Sequence, residues 1–199
     1  MRQRYELRLA GEGGQGLVLA GLILSEAAVL HDNHYAVQIQ AYGPQVRGGI
    51  SRSEVIIGNE PIDYPLILQA DLLLALSQQA CDCYSSELKP GGLLIVDADL
   101  VSRPPCERAI RIPITALARE ATGRAITANV LSLGLIAGLT ATEEGEVVSV
   151  GALELAVAAR VPKATVETNL LALHAGLAQA ELWKKRMDGA ESLPEPRGP

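Results

Sequence analysis

Six residues near the start of the chain, Gly11-Glu12-Gly13-Gly14-Gln15-Gly16, set four glycines and two polar side chains between one apolar stretch and another. The spacing fits the G-x-G-x-x-G dinucleotide pattern. In that pattern the first glycine permits a tight turn, the second lets a phosphate approach the backbone, and the third lets helix pack on strand. With a helix beginning at Leu17, the N–H groups of Glu12 to Gly16 form an anion site at its N-terminus, and Arg47 in the following loop supplies a complementary cation. Glycines that merely permit close strand-to-helix packing are the competing explanation. Gly14 is one more glycine than packing needs.

A nicotinamide dinucleotide makes a further demand, an Asp or Glu at the end of the second strand, about 20 residues past the glycines. Gln38, Gln40 and Ala41 stand there; Asp32 precedes the strand, and no arginine sits in place for a 2′-phosphate. The nucleoside triphosphate pattern G-x-x-x-x-G-K-[ST] fails more cleanly, because Leu17 and Val18 occupy the places of its Lys and its Ser or Thr. A free-standing Rossmann dehydrogenase is therefore disfavoured.

Other residue types capable of chemistry carry less. Ser77 and Gln78 leave the carboxyl end of an apolar strand, where α/β proteins bind ligands, although a serine there also serves as a helix cap. His31, His34 and His174 have no Ser, Cys or carboxylate at motif spacing, so no nucleophilic triad is predicted. Cys81, Cys83 and Cys106 are odd in number and lack the spacing of a disulfide framework or an iron–sulfur run, so no catalytic residue and no metal site is assigned.

The elements that must position these residues follow from periodicity. Arg4 to Ala10 alternates, with Tyr5, Leu7 and Leu9 on one face and Arg4, Glu6 and Arg8 on the other, which predicts a strand with one polar face, its covering either incomplete or supplied by polar partners. Leu17 to Leu30 is apolar nearly all round and predicts a buried helix. A strand over 34–40, the irregular loop 41–49, a strand over 50–57 and a hairpin-like turn at Gly58-Asn59-Glu60-Pro61 come next. Two short apolar runs, 71–77 and 93–97, read as buried parallel strands separated by a helix that stops at Lys89-Pro90-Gly91-Gly92. A last strand over 107–112 precedes helices over 115–122, 127–140, 151–159 and 165–187. The fold class is α/β: a three-layer Rossmann-like domain with a mostly parallel sheet, an antiparallel hairpin element and a helical C-terminal part. Residues 1–187 form the domain, and 188–199, rich in Pro, Gly and Glu, a flexible tail.

A chain of 199 residues that is 48% hydrophobic suits one well-buried domain. A formal charge of −6, with Lys184-Lys185-Arg186 the densest basic run, argues against nucleic acid and anionic membrane as partners. Charges at Arg2, Arg4, Glu6 and Arg8 break any signal-peptide pattern, and the uncharged stretch 126–142 is too short and too polar for a membrane span, so a cytoplasmic protein is predicted. Gly134 and Gly138, four apart on one helix face, allow another backbone to approach closely.

Taken in order, GEGGQG, AYGPQVRGG (41–49), the strand 51–57, ADLLLAL (70–76) and LKPGGLLIVD (88–97) resemble the gamma subunit of the 2-oxoacid:ferredoxin oxidoreductases, over roughly residues 5 to 185. The pairing of G-x-G-G-Q-G with a downstream Y-G-x-x-x-R-G-G is the specific part. The resemblance implies one piece of a multi-subunit enzyme that decarboxylates a 2-oxoacid, passes electrons to ferredoxin or a similar acceptor, and transfers the acyl group to coenzyme A. It implies alpha and beta partners, and in some complexes a ferredoxin-like delta subunit, with thiamine diphosphate, Mg2+ and iron–sulfur clusters on those partners and no independent catalysis here. Coenzyme A would be shared with this subunit through Gly11, Gly13, Gly14, Gln15 and Gly16 in the first loop and Tyr42, Gly43, Arg47, Gly48 and Gly49 in the second, with Ser77 and Gln78 nearby. Pyrophosphate and 3′-phosphate suit backbone donors and an arginine fork, and adenine can lie against Tyr42. Tyr42 packed within its loop, and Arg47 paired with a partner subunit, are the alternatives. The beta subunit of indolepyruvate oxidoreductase, or an assembly subunit without a ligand role, fits the same pattern.

Overall fold

The computed structural model describes residues 4–42, 49–105, 108–142 and 145–191. Six strands form one sheet in the order β2-β3-β1-β4-β5-β6: β1 Arg4–Glu12, β2 Tyr35–Tyr42, β3 Ile50–Gly58, β4 Ala70–Ala75, β5 Leu88–Asp97 and β6 Ile110–Ile112. The helices are α1 Leu17–Glu26, α2 Gln78–Tyr84, α3 Ile114–Thr122, α4 Ala128–Thr140, α5 Val150–Arg160 and α6 Val166–Glu191. β3 runs antiparallel to both of its neighbours, and the remaining pairs are parallel. The α/β architecture with an antiparallel element is as the sequence predicts.

Three details differ from the sequence-based expectation. The antiparallel neighbours β2 and β3 are consecutive, whereas the chain after Gly58 crosses over to β4, so Gly58-Asn59-Glu60-Pro61 is not a hairpin turn. Lys89-Pro90-Gly91-Gly92 does not stop a helix. It lies inside β5, where Ala70 pairs with Leu88 and Leu72 already with Leu93, so the extra residues bulge out of the ladder, with Gly91 at φ 77°. Finally, α6 runs on to Glu191, past the expected start of the tail.

The alternation along β1 divides the molecule into two unlike faces. Tyr5, Leu7 and Leu9 point into a large core that α1, α3, α4, α5 and α6 share with Leu72, Leu74 and Ile95. Gly21 lets α1 lie close on the sheet, since a Cβ there would run into the Ser53 hydroxyl.

On the opposite face Ala10, Leu73, Ala75, Leu94 and Val96 pack with Ala80 and Cys81 of α2. Beside them lies a buried charge network. Arg8, only 2% exposed, donates from Nε to Glu54 Oε1 at 2.8 Å and from Nη2 to the Ile67 carbonyl at 3.1 Å, and it also pairs with Glu87. Lys89 Nζ lies 2.8 Å from both Glu6 Oε2 and Asp71 Oδ2. Arg8 and Arg52 each place a guanidinium near the Tyr84 ring, at 5.1 and 5.4 Å from its centroid. The polar face of β1 is thus covered by charges of opposite sign. No described helix is long and apolar enough to cross a membrane.

Candidate functional site

The connection β1-α1-β2 leads to one side of the sheet and β4-α2-β5 to the other, so the chain direction switches between β1 and β4. Ligands of open α/β sheets bind outside the carboxyl ends of the strands at such a point. The GEGGQG turn occupies it. Leu76 N–H donates to the Ala10 carbonyl at 2.9 Å, drawing the two strand ends together. Gln15 then closes the gap: its Nε2 donates to the Leu76 carbonyl at 3.0 Å, and its Oε1 accepts from Glu12 N–H at 2.7 Å.

Each glycine stands in a different environment. A Cβ on Gly11 would run into Gln15 Oε1 and lie 2.9 Å from Leu17 Cδ1, so Gly11 serves the turn itself. Gly14 and Gly16 hold φ of 97° and 73°, the left-handed region that favours glycine. Among the described residues Gly13 has neither reason: its φ lies outside that region, and the nearest described atom to an added Cβ, the Gly49 carbonyl oxygen, is 3.8 Å away. An added Cβ on Gly14 would meet no described atom within 4 Å.

Of the five N–H groups that the sequence offers as anion donors, three are used within the turn region. Glu12 donates to Gln15 Oε1, Gly13 to the Gly49 carbonyl at 3.2 Å, and Gln15 to the Glu12 carbonyl at 3.2 Å. At the start of α1, Gly16 is the N-cap with no side-chain cap, and the first turn carries no acidic residue.

The second loop meets the first through Gly49, whose carbonyl receives the Gly13 N–H. Tyr42 ends β2 opposite Ser51, with only its backbone described, while Gly43, Arg47 and Gly48 lie outside the described residues. Ser77 is the N-cap of α2, its Oγ accepting from Ala80 N–H at 3.2 Å. Gln78 turns to the chain after β5, donating to Asp82 Oδ1 at 2.7 Å and to the Arg103 carbonyl at 3.0 Å, and accepting from Arg103 N–H at 3.0 Å. Both side chains are engaged in framing the switch point. Cys81 is on the buried side of α2 and Cys83, also in α2, is exposed, while Cys106 lies outside the described residues.

Two features speak against a nicotinamide site. β3 intervenes between β1 and β2, so the strand after α1 does not lie beside β1 as the dinucleotide pattern requires. Gln38, near the place of the ribose carboxylate, is turned to α1: its Nε2 donates to the Val18 carbonyl at 2.9 Å and to Ser53 Oγ at 2.8 Å.

With this geometry in place, comparison with known proteins gives its kinship. Residues 6–179 match the family described as pyruvate ferredoxin/flavodoxin oxidoreductase. The chain belongs to that family. The 2-oxoglutarate synthase subunit KorC of Methanocaldococcus jannaschii is 45% identical over 185 residues, covering 91% of this chain and 96% of that one. The gamma subunit of keto/oxoacid ferredoxin oxidoreductase from Geobacter sulfurreducens is 47% identical, with a TM-score of 0.78 over 89% of this chain and 99% of that one. A 2-oxoglutarate:ferredoxin oxidoreductase from Magnetococcus marinus, with 2-oxoglutarate, coenzyme A and succinyl-CoA bound, shares the fold at TM-score 0.79 and 20% identity. This chain spans 32% of that longer one. As a member of the pyruvate ferredoxin/flavodoxin oxidoreductase family the chain is of the gamma-subunit type, and its class is that of an oxidoreductase subunit.

In this gamma-type chain one polar residue stands at the site that no motif in the sequence marks. Asn129, in the first turn of α4, donates from Nδ2 to the Gly16 carbonyl at 3.2 Å. A separation of 113 residues hides that contact from any local pattern.

Proposed function

We propose that the chain is the gamma subunit of a 2-oxoglutarate:ferredoxin oxidoreductase, which oxidatively decarboxylates the 2-oxoacid, passes the electrons to ferredoxin or a similar acceptor, and transfers the succinyl group to coenzyme A. The turn 11–16 and the start of α1 receive the phosphates of coenzyme A, and Tyr42, Gly43, Arg47, Gly48 and Gly49 of the second loop contribute to its binding. The choice of 2-oxoglutarate draws on the KorC relatives at 45% and 47% identity.

The observation that carries the coenzyme A role is Gly13. The described residues give no reason for a glycine there, as neither its φ nor a described neighbouring atom forbids a side chain. A ligand that must come close to the backbone supplies one. The helix start next to it is uncapped and carries no acidic side chain, as a phosphate requires. Thiamine diphosphate, Mg2+ and iron–sulfur clusters are assigned to the partner subunits. Reacting carbon and electron transfer thus lie on other chains, and this one binds and orients the acyl acceptor.

An anaerobic pull-down with the tagged chain from its native host, followed by viologen reduction with a panel of 2-oxoacids with and without coenzyme A, tests the assignment. The expected result is co-purification of thiamine and iron–sulfur subunits, with coenzyme A-dependent activity greatest on 2-oxoglutarate. Activity confined to another 2-oxoacid would overturn the substrate, and recovery of a lone, inactive chain would overturn the subunit role.

A further inference from the structure

The N-terminus of α4 lies against the glycine turn. Asn129, 5% exposed, makes two hydrogen bonds of opposite sense: Nδ2 donates to the Gly16 carbonyl at 3.2 Å, and Oδ1 accepts from Val130 N–H at 2.8 Å. The Gly16 carbonyl also accepts from Ala20 N–H at 3.0 Å, the first bond of α1. One carbonyl thereby joins the first turns of two helices. The fit is close, since a Cβ on Gly16 would lie 2.5 Å from Asn129 Nδ2 and 3.1 Å from its Cγ.

We infer that Asn129 is a positioning residue for the coenzyme A phosphate site, an inference that rests on the coenzyme A role proposed above. Its amide does not face the ligand. By holding the Gly16 carbonyl, it fixes the left-handed conformation of that residue and so the direction of the N–H groups that open α1. Only a side chain that both donates and accepts makes the bonds to Gly16 and Val130 together. An aspartate keeps the bond from Val130 N–H but has no hydrogen to give to Gly16, and an alanine loses both.

The test compares Asn129→Asp, Asn129→Ala and Gly13→Ala in the assembled complex. Both Asn129 variants are expected to raise the KM for coenzyme A by about threefold to tenfold, the factor carried by one neutral hydrogen bond. The kcat at saturating coenzyme A and the coenzyme-independent decarboxylation should stay near the parent. A mere capping role predicts no loss in Asn129→Asp, because a carboxylate at a helix N-terminus favours the helix. Asn129→Ser, too short to reach Gly16, takes the place of Asn129→Ala where that variant fails to assemble. A raised KM in Asn129→Asp alone would assign the effect to its charge and overturn the positioning role. An unchanged KM in the Asn129 variants with a raised KM in Gly13→Ala would overturn the inference and leave the coenzyme A site standing. No change in any of the three would remove the site itself.

Discussion

Gly134 of α4 and Gly176 of α6 are reciprocal: a Cβ on Gly134 would run into the Leu173 carbonyl, and one on Gly176 into the Leu131 carbonyl. The two helices touch backbone to backbone, and Gly138 extends the contact, a Cβ there falling 2.5 Å from that of Ala180. Gly134→Ala and Gly176→Ala should each cost about 2 kcal/mol of stability through overpacking, even though alanine favours a helix. Gly151→Ala, where an added Cβ meets nothing within 4 Å, should leave stability unchanged or slightly raised. Denaturant midpoints of the three variants check the contrast.

The charge network on the other face gives a second prediction. Arg8→Leu leaves Glu54, itself 5% exposed, without its buried partner, and the expected cost is about 3–5 kcal/mol. Arg8→Leu with Glu54→Leu should recover much of that loss, because the buried carboxylate that lost its Arg8 partner is then gone, leaving only its longer 3.9 Å contact with Arg52 to be given up. A double-mutant cycle by urea denaturation measures both values.

Lys89 adds a dependence on pH. Burial disfavours its charged form, but hydrogen bonds to Asp71 and Glu6 more than offset this and hold its pKa above the ordinary 10.5. Since the folded value is the higher one, its contribution is complete below the unfolded value and is lost as pH rises through the folded value. The stability difference between the parent and Lys89→Met should therefore be constant from neutral pH to about 10 and shrink above it. A difference that stays level through pH 11 would contradict this pairing.

In the second loop, Arg47→Ala should weaken the use of coenzyme A while leaving coenzyme-independent decarboxylation in the assembled complex largely intact. Removing one charge-assisted contact to a phosphate corresponds to a rise of about tenfold in KM. Equal loss of both activities would place Arg47 in assembly instead.

Much of this arrangement was legible along the chain, because the relevant signals are local. GEGGQG between an alternating run and an apolar run marked a strand, a turn and a helix beginning at Leu17, where α1 does begin. Arg4, Glu6 and Arg8 marked a polar face of β1, but not its burial, since Glu54, Asp71, Glu87 and Lys89 come from distant parts of the chain. Lys89-Pro90-Gly91-Gly92 misled because Pro and Gly mark strand bulges as well as helix ends, and only pairing with β4 distinguishes them. That both ends of the Gln15 amide brace the turn was not legible, since its partner Leu76 lies 61 residues away. Asn129 had no local signature at all.

Calorimetric titration of coenzyme A into the anaerobically assembled complex, parent against Gly13→Ala, tests the central claim most directly. A methyl group at position 13 fits beside the described residues, so assembly and thermal midpoint should be unchanged, while affinity for coenzyme A falls by about tenfold or more as the ligand loses its approach to the backbone. Equal affinity in the two complexes would contradict the account and leave the glycine turn a structural joint between β1 and α1.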